Sequence, residues 1–539
     1  PFAAWLARFF ERVVRSMERE RSRCERVFRE HAQSVLCKIA TEALSLLAPR
    51  LQTELDKLDC AGCAAIFGTT CAFSDQLLAI TGLDLNDRTQ RDSDQLVVAL
   101  LAPFESYLSR LTGLEAAEMS KNLTNNVGQV TRQTIVALLN DPSTIELSMV
   151  VFERSVAVAR GAKTVEALRA IDHFWTWLAA RCLQVIGSIA AARVKSQVSD
   201  GPGSDAGPIP WAEAAHEALK ILQAVASFSE RLQSFKRDRL IPAVASACRS
   251  IQQIQSRSLT SISEAIARKL AETAADPGVF ARLEMEPEEA IHALCLSGSA
   301  KRVDELVEEA QSLVNEAILG PVQVEYVRFA KMKVWAAETD ADLRALGPAE
   351  ESISEFGGPL KYMTHVANHL MDLVQVLEPF LSGNLTPAMF PDVAHLGLGP
   401  RQALEGMLQL PAQSRCPEHP EPTSEESEED RANRFLTSWL TLAAHGAADG
   451  LLLAVFRLEC IGAKGAKQLA ADLDCLANVL SHLGLSDDLL AFLQTRLASG
   501  EADASAASEP EAPFSQAAEL LATARARRPL PPANEMKEQ

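Results

Sequence analysis

The chain has 539 residues, 47% hydrophobic and 23% charged, the make-up of a folded protein rather than a disordered one. Leucine and alanine dominate while aromatics stand at 5%, which favours helix over strand. A net charge of −19 excludes a surface built mainly to bind nucleic acid through counterion release.

Pro1 stands where an initiator methionine would, so the natural start is expected upstream. From there, apolar residues recur at steps of three and four through Phe28–Leu47, Gln95–Leu111 and Ile171–Val194, the period of amphipathic helices. Asp200–Pro210 (DGPGSDAGPIP) reads as a loop from its glycines and prolines. The helical pattern resumes in Trp211–Leu232 and Arg302–Ile318. After Met363 it continues as the ladder Val366, Leu370, Leu373, Leu377 and Phe380. Leu410–Asp430 carries several prolines and then SEESEED. Seven carboxylates fall between Glu418 and Asp430, a like-charge run expected to be solvated and disordered. Ser424 and Ser427 are flanked by acids and so are candidate phosphoacceptors; an acidic linker is the simpler reading. Leu469, Leu473, Leu476, Leu480 and Leu483 form a last ladder. Beyond Ser499 the chain turns Ala/Glu/Pro-rich and is expected to stay largely unstructured.

A single apolar stripe does not offset the entropy of ordering its own helix, so each ladder must lie against neighbours. Strand-like alternation never persists, and no fixed-period repeat is present. These features predict an all-α protein of antiparallel helices packed in bundles. The expected regions are helical bundles over 1–199, 211–410 and 433–499. A Gly/Pro loop at 200–210 and an acidic linker at 411–432 separate them, and a tail spans 500–539. The charge follows the linkers: Glu418–Asp430 contributes −7 and Glu501–Ala512 contributes −4, leaving −8 for the rest.

The segment nearest to a bilayer span is Phe435–Phe456, which contains His445 and Asp449. A carboxylate near the centre of a spanning helix costs about 2.5–3.5 kcal/mol on insertion scales, so a buried helix pair is the better reading.

Signals for chemistry are weak. The eleven cysteines are scattered, and Cys60-Ala-Gly-Cys63 with nearby Cys71 has no second pair to complete a zinc site. Buried thiols are the expectation. Gly161-Ala-Lys163-Thr164 and Gly462-Ala-Lys464-Gly465-Ala-Lys467 lack the Gly-Lys pair of a phosphate loop, and the latter reads as a helix start. His365, His369 and Asp372 share one helical face, but without further ligands they read as a polar face turned to solvent. Trp175 and Trp177, near His173, read as packing. Glu284, Glu286, Glu288 and Glu289 around Pro287 fit the first turn of a helix. No catalytic, cofactor-binding or metal-binding residues are assigned, and no cofactor is expected.

Two blocks in the last third are more specific. The first runs from Pro359-Leu-Lys-Tyr-Met363 to Leu377-Glu378-Pro379-Phe380. The second runs from Ala466-Lys467-Gln468-Leu469 through Asp472, Leu473 and Asp474 to Leu483-Gly484-Leu485, with Asn433–Leu440 between them. Their order and spacing resemble the subunit 7 family of the conserved oligomeric Golgi complex, a vesicle-tethering assembly. Weaker similarity covers Ala32–Leu51, Leu96–Leu123 and Ile171–Arg193. By that resemblance the family's N-terminal helical region is expected to lie upstream of Pro1, and the acidic run and the tail depart from the family pattern. The resemblance implies an elongated rod of stacked helical bundles, like other multisubunit tether subunits, and a non-enzymatic role in intra-Golgi retrograde transport that sustains glycosylation. The partners it implies are the complex's other subunits, with vesicle-fusion and coat machinery. It places the chain peripherally on the cytosolic face of the Golgi membrane, held there through partners. A helical scaffold of another, exocyst-like tether is the alternative.

Overall fold

In the computed structural model every regular element among the described residues is helical. Those residues are 2–83, 85, 91–199, 211–272, 282, 296–339, 341, 358–383, 385–391, 427–455, 457–458, 461–485 and 490. The helices are α1 (Phe2–Phe28), α2 (Ala32–Leu55), α3 (Cys60–Thr81), α4 (Arg91–Leu101), α5 (Glu105–Ser109), α6 (Leu111–Val127), α7 (Ile135–Asn140) and α8 (Ser143–Ala159). They continue as α9 (Thr164–Ser199), α10 (Trp211–Phe235), α11 (Ile241–Ser256), α12 (Ile262–Glu272), α13 (Ser297–Phe329), α14 (Lys361–Leu377), α15 (Glu428–Val455) and α16 (Ala463–His482). Two compact units divide the chain: residues 1–185 with 227–306, and residues 186–226 with 307–539. Their limits fall inside α9, α10 and α13.

The sequence ladders become the buried faces. In the first unit α1 turns Leu6, Phe10, Met17 and Cys24 inward and packs against α2 and α3. Phe10 stacks on Phe73 with ring centroids 4.0 Å apart, and Phe67 meets Phe104 edge-on at 5.0 Å. Trp175 lies edge-on to Phe235 at 5.9 Å, in keeping with a packing role. The helix expected over Gln95–Leu111 is interrupted. Pro103 sits in a 3-10 turn at Ala102–Phe104, so α4 and α5 are separate. By contrast, α2 runs through Pro49 and α13 through Pro321, each longer than its sequence pattern indicated. Buried residues on both sides of Pro321, including Leu313, Ile318, Val322 and Phe329, hold α13 in register across it.

In the second unit, α14 packs against α15 and α16 and buries Val366, Leu370, Leu373 and Leu377. Leu469, Leu473, Leu476 and Leu480 of α16 are buried as well. Two glycines of α15 face side chains of α13. A Cβ on Gly446 would lie 2.4 Å from Leu319, and one on Gly450 would lie 2.9 Å from the Tyr326 ring. By length and composition, α3, Thr164–Arg193 of α9 and α15 are apolar enough to cross a membrane. For α15, 78% of that apolar stretch, together with Asp449, is buried within the protein.

The acidic run does not end as a linker. Glu428, Glu429 and Asp430 form the first turn of α15, where their charge complements the helix dipole. Ser427 caps it, accepting from the Asp430 amide at 3.1 Å while its hydroxyl donates to the Asp430 carboxylate at 2.7 Å. Ser424, the Glu284–Glu289 cluster and the 200–210 loop lie outside the described residues.

Candidate functional site

The two sequence blocks of the last third meet at one buried carboxylate. Gln468 and Asp472 are one turn apart on α16, beside the leucine ladder, so the turn that buries Leu469 and Leu473 also buries Asp472. Opposite it α14 begins. Its N-cap is Leu360, which has no side-chain acceptor to offer the orphan amides of the first turn. Asp472 supplies one from outside. The Leu360 amide donates to Oδ1 at 2.8 Å, the Tyr362 hydroxyl to Oδ2 at 2.7 Å, and Gln468 Nε2 to Oδ1 at 3.2 Å. Gln468 Nε2 also donates to the Gly358 carbonyl at 3.0 Å. Burial raises the Asp472 carboxyl to about 6, against the lowering by its three donors. The Tyr362 hydroxyl is raised well above its ordinary range by burial and by the adjacent carboxylate.

The glycine-rich start of α16 closes the other side. The Gly462 amide donates to the Trp335 carbonyl at 2.8 Å, and the Lys464 and Gly465 amides donate to the Ala337 carbonyl at 3.0 and 3.2 Å. A Cβ on Gly465 would lie 2.2 Å from the Trp335 oxygen, and one on Gly462 would lie 2.4 Å from the Ala337 oxygen. The amides that a phosphate loop would offer a nucleotide are thus taken by backbone carbonyls. Gly161-Ala-Lys163-Thr164 is likewise a helix start. Thr164 Oγ1 donates to the Gly161 carbonyl at 2.6 Å, and Lys163 pairs with Glu166 at 2.6 Å.

The histidine face differs from the sequence reading. His369 is buried, only 6% exposed, rather than turned to solvent. Its ring lies 4.0 Å from that of Trp211, and Nε2–H donates to the Ile318 carbonyl at 2.7 Å. Burial lowers its pKa, opposed by the Ile318 carbonyl and Asp372. His365 is half exposed, with Nδ1 3.3 Å from Glu325, and Asp372 is exposed. The set does not converge. Among the described residues, no group of three His, Cys, Asp or Glu side chains is placed to hold a metal ion.

The first unit holds a second buried polar cluster, around the cysteines. Arg154 donates through Nε to Glu115 at 3.0 Å, again through Nη2, and through Nη1 to Glu118 at 3.1 Å. Glu118 in turn accepts from the Cys60 amide at 2.8 Å, at the start of α3. Burial raises the Glu115 carboxyl, with Arg154 opposing. Burial also works against the Arg154 charge, but its hydrogen bonds and the facing carboxylates outweigh that and raise its pKa. Desolvation and these carboxylates push the Cys60 thiol well up, and Cys63 rises to about 11, mainly by burial. Cys71 rises to about 12, also by burial. Protonated thiols of this kind are poor nucleophiles and poor metal ligands. An open cleft beside the cluster is lined by Asp56, Cys60, Tyr107, Arg110, Glu118 and Lys121, with both signs of charge mixed.

The Asp472 cluster lies where α14 begins and the Arg154 cluster where α3 begins. Both fix where one helix starts against another, which is the polar architecture of an all-helical bundle protein. Comparison with known proteins agrees with this class and narrows it. The model of the Golgi complex component 7 family matches residues 1–519, and the chain belongs to that family. It is also 24% identical over 217 residues to the conserved oligomeric Golgi complex subunit 7 of Arabidopsis thaliana. That match covers 40% of this chain and 21% of the relative's length. No solved structure matches the chain.

Proposed function

We propose that the chain is a non-enzymatic subunit of the conserved oligomeric Golgi complex, tethering vesicles in retrograde traffic within the Golgi. The observation that carries this reading is the family match over residues 1–519. Long helices with charged outer faces suit such work, because helix-in-groove contacts need an exposed face and a few anchors rather than a reaction centre. In this reading the partners are the other subunits of the complex, with vesicle-fusion and coat machinery beyond them. Nucleic acid and cofactors play no part. The chain resides peripherally on the cytosolic face of the Golgi membrane. Retention of glycosylation enzymes in their cisternae, and so protein glycosylation, is the downstream effect.

Affinity purification of the tagged chain from cells tests the proposal. Several other large subunits of the complex should be recovered with it, and recovery of unrelated proteins alone would overturn it. Depletion of the chain should in addition change lectin staining of cell-surface glycans.

A further inference from the structure

An acidic chain is repelled by anionic leaflets, but the charge of this one is uneven. Residues 1–50 carry ten Lys or Arg against six Asp or Glu, a net +4 in a chain whose total is −19. Three of these cations, Arg8 and Arg12 near the start of α1 and Arg50 of α2, lie beside exposed aromatic and aliphatic side chains, while Arg15, Arg21 and Arg23 are ion-paired further along α1. Trp5 is 38% exposed and stacks with Phe2 at 5.4 Å and with Phe9 at 5.5 Å. The Arg50 guanidinium of α2 lies over the Trp5 ring at 5.1 Å, joining the outer faces of the two helices. Ile39, Leu46 and Arg50 share one face of α2 through spacings of seven and four, and Leu46 is 82% exposed.

Arg8 and Arg12 continue the row along α1, one turn beyond Trp5 and Phe9. Arg8 Nε donates to the Ala4 carbonyl at 3.4 Å rather than to an acid. The intervening Glu11 is held by Arg15 at 2.5 Å, and among the described residues Arg12 has no ion-pair partner. Glu42 is the exposed acid on this stretch of α2. Aromatic rings, protruding aliphatic side chains and unpaired guanidinium groups on a helical face match the chemistry of an anionic bilayer surface. The rings and Leu46 suit the headgroup boundary, and the arginines suit lipid phosphates.

We propose that this α1–α2 face binds the anionic surface of a lipid bilayer directly. The proposal does not rest on the Golgi assignment, since it follows from the first unit alone. Flotation of the full chain with vesicles tests it. The chain should float with phosphatidylcholine vesicles containing phosphatidylserine, stay down with pure phosphatidylcholine, and be released by high salt. Arg12→Glu with Arg50→Glu should lower the bound fraction about tenfold or more, as each arginine near the surface contributes several-fold. Leu46→Glu, at a side chain that meets mostly solvent, should also weaken binding while leaving the helical circular dichroism and melting unchanged. Lys301→Glu, on α13 rather than on α1 or α2, should have little effect. Equal binding to neutral vesicles, or binding that survives both the arginine and the Leu46 variants, overturns the proposal. So does a chain that ignores vesicles but forms a dimer that Leu46→Glu abolishes, which would give the face to a second copy.

Discussion

Helices α3 and α14 both start on a carboxylate carried by a helix far along the chain. The Cys60 amide donates to Glu118 and the Leu360 amide to Asp472, each at 2.8 Å. Their surroundings differ. The α3 start has a local cap as well, with the Gly62 amide donating to Asp59 at 2.7 Å, and its remote carboxylate is bound by Arg154. The α14 start has no local cap, and the three partners of Asp472 are neutral donors. A cation matched to two carboxylates holds its cluster as an ion network. Neutral donors hold Asp472 by geometry alone and leave its carboxyl raised to about 6. The first arrangement is vulnerable to loss of a counterion, the second to loss of an acceptor.

The largest effect should come from Arg154→Met, which strands Glu115 fully buried without its counterion. The expected loss is about 3–5 kcal/mol in urea denaturation, and a loss below about 1 kcal/mol would break the contrast with the second unit. Asp472→Ala should follow at about 3 kcal/mol, because the Leu360 amide and the Tyr362 hydroxyl lose their acceptor. Asp472→Asn keeps an oxygen for the Leu360 amide and should recover most of that loss. If Ala and Asn prove equal, the carboxylate position is not what holds α14.

The pH dependence sharpens the comparison further. The Asp472 carboxyl lies above its ordinary 3.8 in the folded chain, so the fold favours the protonated form. Its contribution is full below pH 3.8 and is lost as the pH rises through about 6. Wild type should therefore lose about 3 kcal/mol relative to Asp472→Asn across that window, read from denaturation midpoints at stepped pH. A flat difference would show that Asp472 is not buried in solution. The smallest effect belongs to a purely local cap. Ser427→Ala should cost about 1 kcal/mol, seen as fraying of the first turn of α15 in amide exchange.

How much of this was legible in the sequence varies with distance along the chain. The ladders at Val366–Phe380 and Leu469–Leu483 identified α14 and α16, because helical period is a local property of the residue order. The blocks Pro359–Met363 and Ala466–Asp474 were recognisable as specific. Their reason, a carboxylate on one capping the other, was not visible. The signal available was Asp472 itself, a charged residue flanked by Leu469 and Leu473 on the rim of a buried stripe. For Glu115 and Arg154 no signal existed, since 39 residues separate them and neither lies in a motif. His369 was misread because its helix alone sets it beside the ladder, whereas Trp211 and Ile318, both remote in sequence, cover it.

By itself, the sequence determined that this protein is all-α, which stripes face inward, and which family it belongs to. Each follows from short-range pattern: the 3.6-residue period, the scarcity of β-branched alternation, and residue order within blocks. Only the tertiary structure decided which helix start each buried carboxylate closes, that the limits of the two units fall within helices, and that arginines and aromatics of α1 and α2 share one exposed face. Those outcomes depend on which distant segments pack together, because desolvation and hydrogen bonding are set by neighbours in space.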